Sequence, residues 1–170
     1  MTKKTYISPN IGKPAGRTPT DIPTGMMSTH LAAQQFKEHT EKHGGATMNV
    51  HTGKILQPGE SGIVVGGEPS KTGKRVETGY VGNDKLDTAK VMHQWARVKD
   101  ATSGANVNLG SWKDAGNTEF DASSVVHDRR QAVSLGRSRA EKAVWDNARG
   151  QEIDTSSADS AARVASDLKK

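Results

Sequence analysis

The residues of this chain that could do chemistry are few, and they do not form a complete catalytic or metal-binding pattern. His39 and His43 are four residues apart, which would place two imidazoles on one face of a helix, as in a zinc-binding helix. The glutamate between them, Glu41, is not adjacent to the first histidine, as the metalloprotease pattern requires. His51 is the only distant candidate for a third ligand. We therefore expect polar surface histidines and no bound metal.

A glycine-rich segment, residues 67–74, invites comparison with a phosphate-binding loop. Its outer glycines, Gly67 and Gly73, are six positions apart instead of five, and Arg75 stands where serine or threonine should follow the lysine. Pro69 also removes a backbone N–H that would face phosphate. The segment predicts a surface loop, and we expect no nucleotide or other cofactor there.

Nucleophilic catalysis is not indicated either. Serines and threonines are abundant, and His93 and His127 are conceivable bases, but the chain contains no Gly-x-Ser-x-Gly turn. We expect a protein that is not an enzyme and has no catalytic residues.

Four arginines form the most suggestive charged group. They lie in or next to one predicted helix, within a stretch of six basic and three acidic residues (122–150): Arg129, Arg130, Arg137 and Arg139. A solvated helix face is the more common explanation of such a group, and contact with nucleic acid phosphates is the alternative. Trp112 and Trp145 fall in predicted strands and are expected in the core. Base stacking on single-stranded nucleic acid is therefore not favoured.

The composition limits the size of the folded core. The chain has 170 residues, of which 32% are hydrophobic and 4% aromatic, with 18 glycines. This predicts one domain with a single small core. A net charge of +5 favours acidic partners, and the absence of cysteine excludes disulfides and thiolate metal sites. No apolar stretch is long enough to span a bilayer, so we expect a soluble protein without a membrane partner.

The pattern of apolar residues predicts an α+β fold with short, mostly antiparallel strands and two or three helices. Three segments are expected: an extended arm (1–27), an α+β domain (28–155) and a C-terminal amphipathic helix (156–170). Predicted helices cover 28–43, with Ser28 as the N-cap, and 84–98, with Asn83 as the N-cap, and a third begins after the capping residue Asp128. The predicted strands are 47–51, 61–65, 75–81 and 107–112, with a return at 119–120, an apolar stretch at 124–126 and a second hairpin over 142–153.

The two terminal segments are predicted to bind partners. Residues 1–25 contain four prolines and carry four basic residues against one acidic residue, a composition typical of an extended arm that orders on a partner. Its sizeable apolar side chains are the expected partner contacts: Tyr6, Ile7, Ile11 and Ile22. Residues 157–170 place Ala161, Val164, Ala165 and Leu168 on one helical face. We expect both segments to bind neighbouring protein subunits.

Several short stretches carry a resemblance. They include Leu-Gly-Ser-Trp-Lys-Asp from Leu109, Asp-Ala-Ser-Ser-Val-Val-His-Asp from Asp121 and Ala-Val-Trp-Asp from Ala143. Over roughly 44–155 the chain resembles an uncharacterised small α/β domain seen in actinobacterial phage and phage-derived proteins. The resemblance brings no catalytic residues. It implies a phage protein, found in the virion or the host cytoplasm.

Three classes of function remain open at this point. The favoured one is a non-enzymatic structural or assembly protein of a phage particle. The alternatives are a basic accessory protein that contacts nucleic acid phosphates, and a small phage-encoded enzyme or toxin. We also expect residues 44–155 to fold without the arm and tail, because they contain the clearest helix, both hairpins and all three tryptophans.

Overall fold

The computed structural model describes residues 28–155. The predicted arm, with Tyr6, Ile7, Ile11 and Ile22, and the predicted tail helix lie outside these residues. Within them, the predicted α+β class is confirmed: three α-helices pack on a sheet of antiparallel strands. The elements are α1 (Thr29–His43), β1 (Gly45–Asn49), β2 (Ile63–Val65), β3 (Tyr80–Gly82), α2 (Thr88–Ala101), β4 (Asn108–Asp114), β5 (Asn117–Val126), α3 (Arg129–Ser138), β6 (Ala143–Asp146) and β7 (Gln151–Asp154).

The long strand β5 organises the sheet. The strand order is β1-β4-β5-β2-β6-β7, and β3 also pairs with β5. One edge of β5 pairs with β4, while its other edge pairs with β3 at residues 117–119 and with β2 at residues 124–126. Every strand pairing in the described part of the chain is antiparallel. The sequence predicted the two ends of β5 as separate pieces, and the structure joins them in one strand of ten residues.

Side-chain caps fix where the helices begin. Ser28 accepts a hydrogen bond from the Leu31 N–H, as predicted, and Asp128 accepts one from Gln131. The second helix begins later than predicted. Residues Asn83–Lys85 form a short 3₁₀ turn, and α2 starts at Thr88 because the Asp87 carboxylate caps it through the Lys90 N–H.

All four predicted strands differ from the structure at their ends, by one residue or more. The third predicted strand, 75–81, is reduced to Tyr80–Gly82, and β1 begins at Gly45, two residues earlier than predicted. Gly45 can pair with β4 so close to the helix end because Gly44 takes a left-handed conformation, with φ of 80°, and reverses the chain.

The buried apolar residues form two clusters, so the prediction of a single core is wrong. The larger cluster unites α1 and α2 with β1, β4 and β5, and it includes Phe36, Met48, Val91 and Leu109. The smaller cluster joins α3 to β2, β6 and β7. Because β5 crosses from one cluster to the other, the sheet is continuous although the core is divided.

Helix α1 is part of the larger cluster. Ala32, Ala33 and Phe36 are fully buried there. The Thr40 hydroxyl donates a hydrogen bond to the Phe36 carbonyl and lies 2.7 Å from the Ser111 hydroxyl. Removing α1 would expose the apolar face of β1 and β4. This packing argues against the expectation that residues 44–155 fold without the preceding segment.

Candidate binding surface

The two faces of the sheet differ in their side chains. Side chains alternate between faces along a strand, and the buried apolar residues of the strands, such as Met48, Leu109, Phe120 and Val65, pack with the three helices. The opposite face holds the three large apolar side chains that are exposed in the described residues: Tyr80 at 67%, Trp112 at 45% and Trp145 at 42%. We call this the open face.

A row of directly opposed residues crosses the open face at one end of the sheet. Trp112 on β4 lies opposite Gly45 on β1 and opposite Glu119 on β5, and Glu119 lies opposite Tyr80 on β3. Because neighbouring strands are about 4.8 Å apart, the two aromatic side chains leave the sheet about 10 Å from each other with a carboxylate between them. We call these four residues the aromatic row.

Glycine at position 45 keeps one side of Trp112 open. A Cβ atom at Gly45 would lie 2.7 Å from the Ser111 carbonyl oxygen, which no side chain tolerates without a backbone shift. The position therefore requires glycine for a backbone reason. As a result, no side chain from β1 stands beside the Trp112 ring in the row.

The same pairing of tryptophan and glutamate recurs at the other end of the sheet. Trp145 on β6 lies opposite Glu152 on β7 and opposite Val64 on β2. Both tryptophans were expected in the core, and this expectation is wrong. The alternation of buried Val144 and Asp146 around Trp145 turns the ring outward, and buried Ser111 likewise precedes exposed Trp112.

The charge beside the aromatic side chains is negative. Glu119 is half-buried, and its carboxylate makes no ion pair or hydrogen bond with another residue of the described range. An aromatic face and a free carboxylate both attract ammonium and guanidinium groups. The same carboxylate repels phosphate. The open face is therefore suited to a cationic partner.

The structure separates the four arginines that the sequence grouped as phosphate contacts. Arg139 is largely buried: its guanidinium forms an ion pair with Glu68 at 2.6 Å and donates to the Val65 and Gly66 carbonyls and to the Ser124 hydroxyl. This placement, just after α3, argues against phosphate contact by Arg139. Four acceptors of its own domain hold this guanidinium and only 13% of the side chain is exposed, which leaves little of it for a ligand.

The other three arginines remain nearer the surface. Arg137 is exposed but donates from Nε to the Thr155 carbonyl at 2.6 Å, which ties α3 to the end of β7. Arg129 is half-buried and Arg130 is exposed, and neither forms an ion pair within the described residues. Arg130 borders a shallow groove of about 750 Å³ along α3, together with Gln131, Leu135 and Ser138. Arg129 and Arg130 therefore have no partner among the described residues, and Arg137 donates from Nε alone, so these three are the arginines that an external anion could contact.

A buried ionic cluster, which sequence reasoning missed, surrounds the chain where it leaves β2. Asp121 is 7% exposed, and its carboxylate accepts the Gly67 N–H at 3.3 Å. Glu141 approaches from the opposite side and pairs with Arg75 at 3.0 Å. With the pair formed by Glu68 and Arg139, the cluster holds three carboxylates and two guanidinium groups. One carboxylate therefore lacks a balancing positive charge.

Burial in this cluster changes the acidity of Asp121. Burial, reinforced by the nearby Glu141 carboxylate, raises the pKa of Asp121 to about 6, although the Gly67 N–H, Arg75 and Arg139 act in the opposite direction. The space between the acids is filled by backbone. A Cβ at Gly67 would lie 2.7 Å from Glu141 Oε1, and one at Gly66 would meet the Asp121 carboxylate. The cluster is closely packed and joins β2, β5 and the end of α3.

The histidine pair does not gain a third ligand from the fold. The rings of His39 and His43 lie 4.5 Å apart, and His39 Nδ1 is 3.2 Å from the Gly45 carbonyl oxygen. Desolvation lowers the pKa of His39. His51 does not join the pair, and its Nε2 lies 2.8 Å from the Gly104 carbonyl oxygen. Within residues 28–155, no three histidine, aspartate or glutamate side chains are grouped so that they could hold a metal ion.

Comparisons with protein-family models, with characterised proteins and with solved structures find no match to this chain. The resemblance to a phage domain therefore stays a prediction. None of the helices between residues 28 and 155 is long and apolar enough to cross a membrane.

Proposed function

We propose that this chain is a non-enzymatic structural or assembly protein of a phage particle, which binds neighbouring subunits through its N-terminal arm and its C-terminal tail. The observation that carries the proposal is the open face. Large aromatic side chains are enriched in surfaces that bind another protein, and the glutamate opposite each tryptophan adds a charge that suits a cationic partner.

The terminal segments supply a matching chemistry. Residues 1–25 carry Lys3, Lys4, Lys13 and Arg17 against one aspartate, and they contain four sizeable apolar side chains. Ordering each residue of the arm costs about 1 to 2 kcal/mol of backbone entropy, which its few apolar groups cannot offset alone. A subunit surface that accepts both aromatic and cationic groups would offset this cost.

The assembly role can be tested by deleting residues 1–25 from the full chain. If the arm binds a neighbouring subunit and not its own domain, its deletion should leave the melting temperature within about 2 °C of the parent value. Self-association, measured by sedimentation velocity at concentrations from 1 to 200 μM, should be lost. A deletion that leaves association intact, or a parent chain that is monomeric throughout this range, would contradict the proposal.

The second candidate function is phosphate contact with nucleic acid, which Arg129 and Arg130 favour because they are unpaired in the described residues. Binding through these side chains must weaken steeply with salt. We expect the double variant Arg129→Gln/Arg130→Gln to lose any retention of a DNA duplex seen at 50 mM salt, while a Lys37→Gln variant on α1 retains it. Retention that is unchanged at high salt would exclude phosphate contact.

A further inference from the structure

We propose that the aromatic row is the docking site for residues 3–7 of a second copy of this chain, with a lysine of that segment lying against Glu119 between Trp112 and Tyr80. This inference rests on the proposed function, because it names the surface that receives the arm. In this interaction the two aromatic rings hold the cation between them and the carboxylate neutralises its charge.

The row has the composition that a cationic segment requires. Two aromatic side chains, 45% and 67% exposed, flank a glutamate whose carboxylate has no partner among residues 28–155. An incoming ammonium group would supply the missing partner and would stack on the rings at the same time.

The arm offers the complementary sequence. Residues 3–7 read Lys-Lys-Thr-Tyr-Ile, which places both N-terminal lysines beside Tyr6 and Ile7, two of the sizeable apolar residues of residues 1–25. In an extended chain, alternate side chains point to the same side. One lysine and Tyr6 can then face the row together, so that the cation contacts Glu119 while the aromatic ring extends the apolar contact.

Chain length permits docking on a second copy. The row lies beside Gly45, at the end of α1 that is opposite to Ser28, and α1 is about 22 Å long. The 27 residues before Ser28 can span up to about 90 Å when extended. The segment can therefore reach the row of a neighbouring subunit without disturbing its own helix.

Nucleic acid is the less suitable occupant of this face. The carboxylates of Glu119 and Glu152 lie directly opposite the exposed tryptophans, and each would repel a phosphate that approached the rings. An acidic protein segment is disfavoured for the same reason.

A charge exchange between full-length chains tests the inference. The first chain carries Glu119→Arg with its natural arm, and the second carries Lys3→Glu and Lys4→Glu with its natural row. Each alone should self-associate at least about tenfold more weakly than the parent, since like charges now face each other. An equimolar mixture should regain association as a one-to-one complex, because each arm then meets an opposite charge in the other chain.

Two further measurements make the outcomes decisive. Circular dichroism and thermal melts establish that Glu119→Arg remains folded. Asp100→Arg, at an exposed position of α2 away from the open face, makes the same change of charge and serves as the matched control that should associate like the parent. A mixture that stays monomeric overturns the inference, as does association that Glu119→Arg leaves unchanged. If a single chain carrying all three substitutions regains association but the mixture does not, the arm docks on the row of its own chain, and this result would also overturn the inference.

The test separates this inference from the proposed function. If deletion of residues 1–25 abolishes association while Glu119→Arg does not, the arm binds elsewhere and only the docking site is wrong. If the arm deletion has no effect, the assembly role of the arm itself is wrong. Saturable binding of an oligothymidine by the parent chain that Trp112→Ala abolishes would assign the row to nucleic acid and would contradict the inference.

Discussion

The substitution Asp121→Asn should make the protein more stable at neutral pH. A pKa raised from the ordinary value of 3.8 to about 6 corresponds to about 3 kcal/mol of preference for the protonated carboxyl in the folded state. Asp121 therefore contributes stability that is fully present below about pH 4 and is lost as the pH rises through about 6. Asparagine keeps an oxygen that can accept the Gly67 N–H, and it carries no charge.

The assay is urea denaturation of the full chain at pH 5 and pH 8, with the variant compared to the parent. Between these values the parent should lose about 1.4 kcal/mol relative to Asp121→Asn, which is the part of the titration that falls in this range. Taking the difference removes other titrating groups, such as His39, from the comparison. Asp114→Asn, at an exposed position of β4, should show no such change. A parent-to-variant difference that stays constant within about 0.5 kcal/mol would refute the assignment of Asp121 as the uncompensated charge.

Three further substitutions test the packing. Phe36→Ala should destabilise the full chain by about 3 to 5 kcal/mol in urea denaturation, because the ring is fully buried in the larger cluster; a loss below about 1 kcal/mol would show that α1 is peripheral. Arg139→Met should cost about 3 to 5 kcal/mol by leaving Glu68 buried without its ion pair, and adding Glu68→Gln should restore part of this loss; no restoration would contradict the pairing. Gly136→Ala should lower the free energy of unfolding by about 1 to 3 kcal/mol, since its Cβ would lie 2.8 Å from a Val144 methyl group. Ser134→Ala, on the exposed side of α3, should leave the urea denaturation curve unchanged.

Local sequence signals predicted most of the secondary structure. The capping residues Ser28 and Asp128, and the hairpin around residues 147–150, are encoded by short-range chemistry and lie where the sequence placed them. The predicted start of α2 was wrong because the side chain of Asp87, and not that of Asn83, caps the helix. Both residue types cap helices, and the choice depends on the tertiary position of the preceding turn.

The features that depend on long-range pairing could not be predicted. The divided core, the union of two segments in β5 and the ionic cluster all join residues far apart in sequence, such as Glu68 with Arg139. The open face could have been found in part. Because side chains alternate along a strand, the sequence already placed Trp112 on the opposite side of its strand from Leu109. Which of the two sides faces the helices is a property of the fold.

The most direct test of the account is a disulfide between copies, which is clean because the chain has no cysteine of its own. One full-length chain carries Ser8→Cys, which keeps both lysines and lies on the same side of an extended arm as Lys4 and Tyr6. A second, isotopically labelled chain carries Asp114→Cys, two residues beyond Trp112 on the same face of β4. After mild oxidation of the mixture, mass spectrometry should find a disulfide that joins the two chains, since this bond requires Cα atoms within about 7 Å. A partner carrying Ser134→Cys, on α3, should give little such product. Equal yields with both partners, or none with Asp114→Cys, would contradict docking of the arm on the aromatic row.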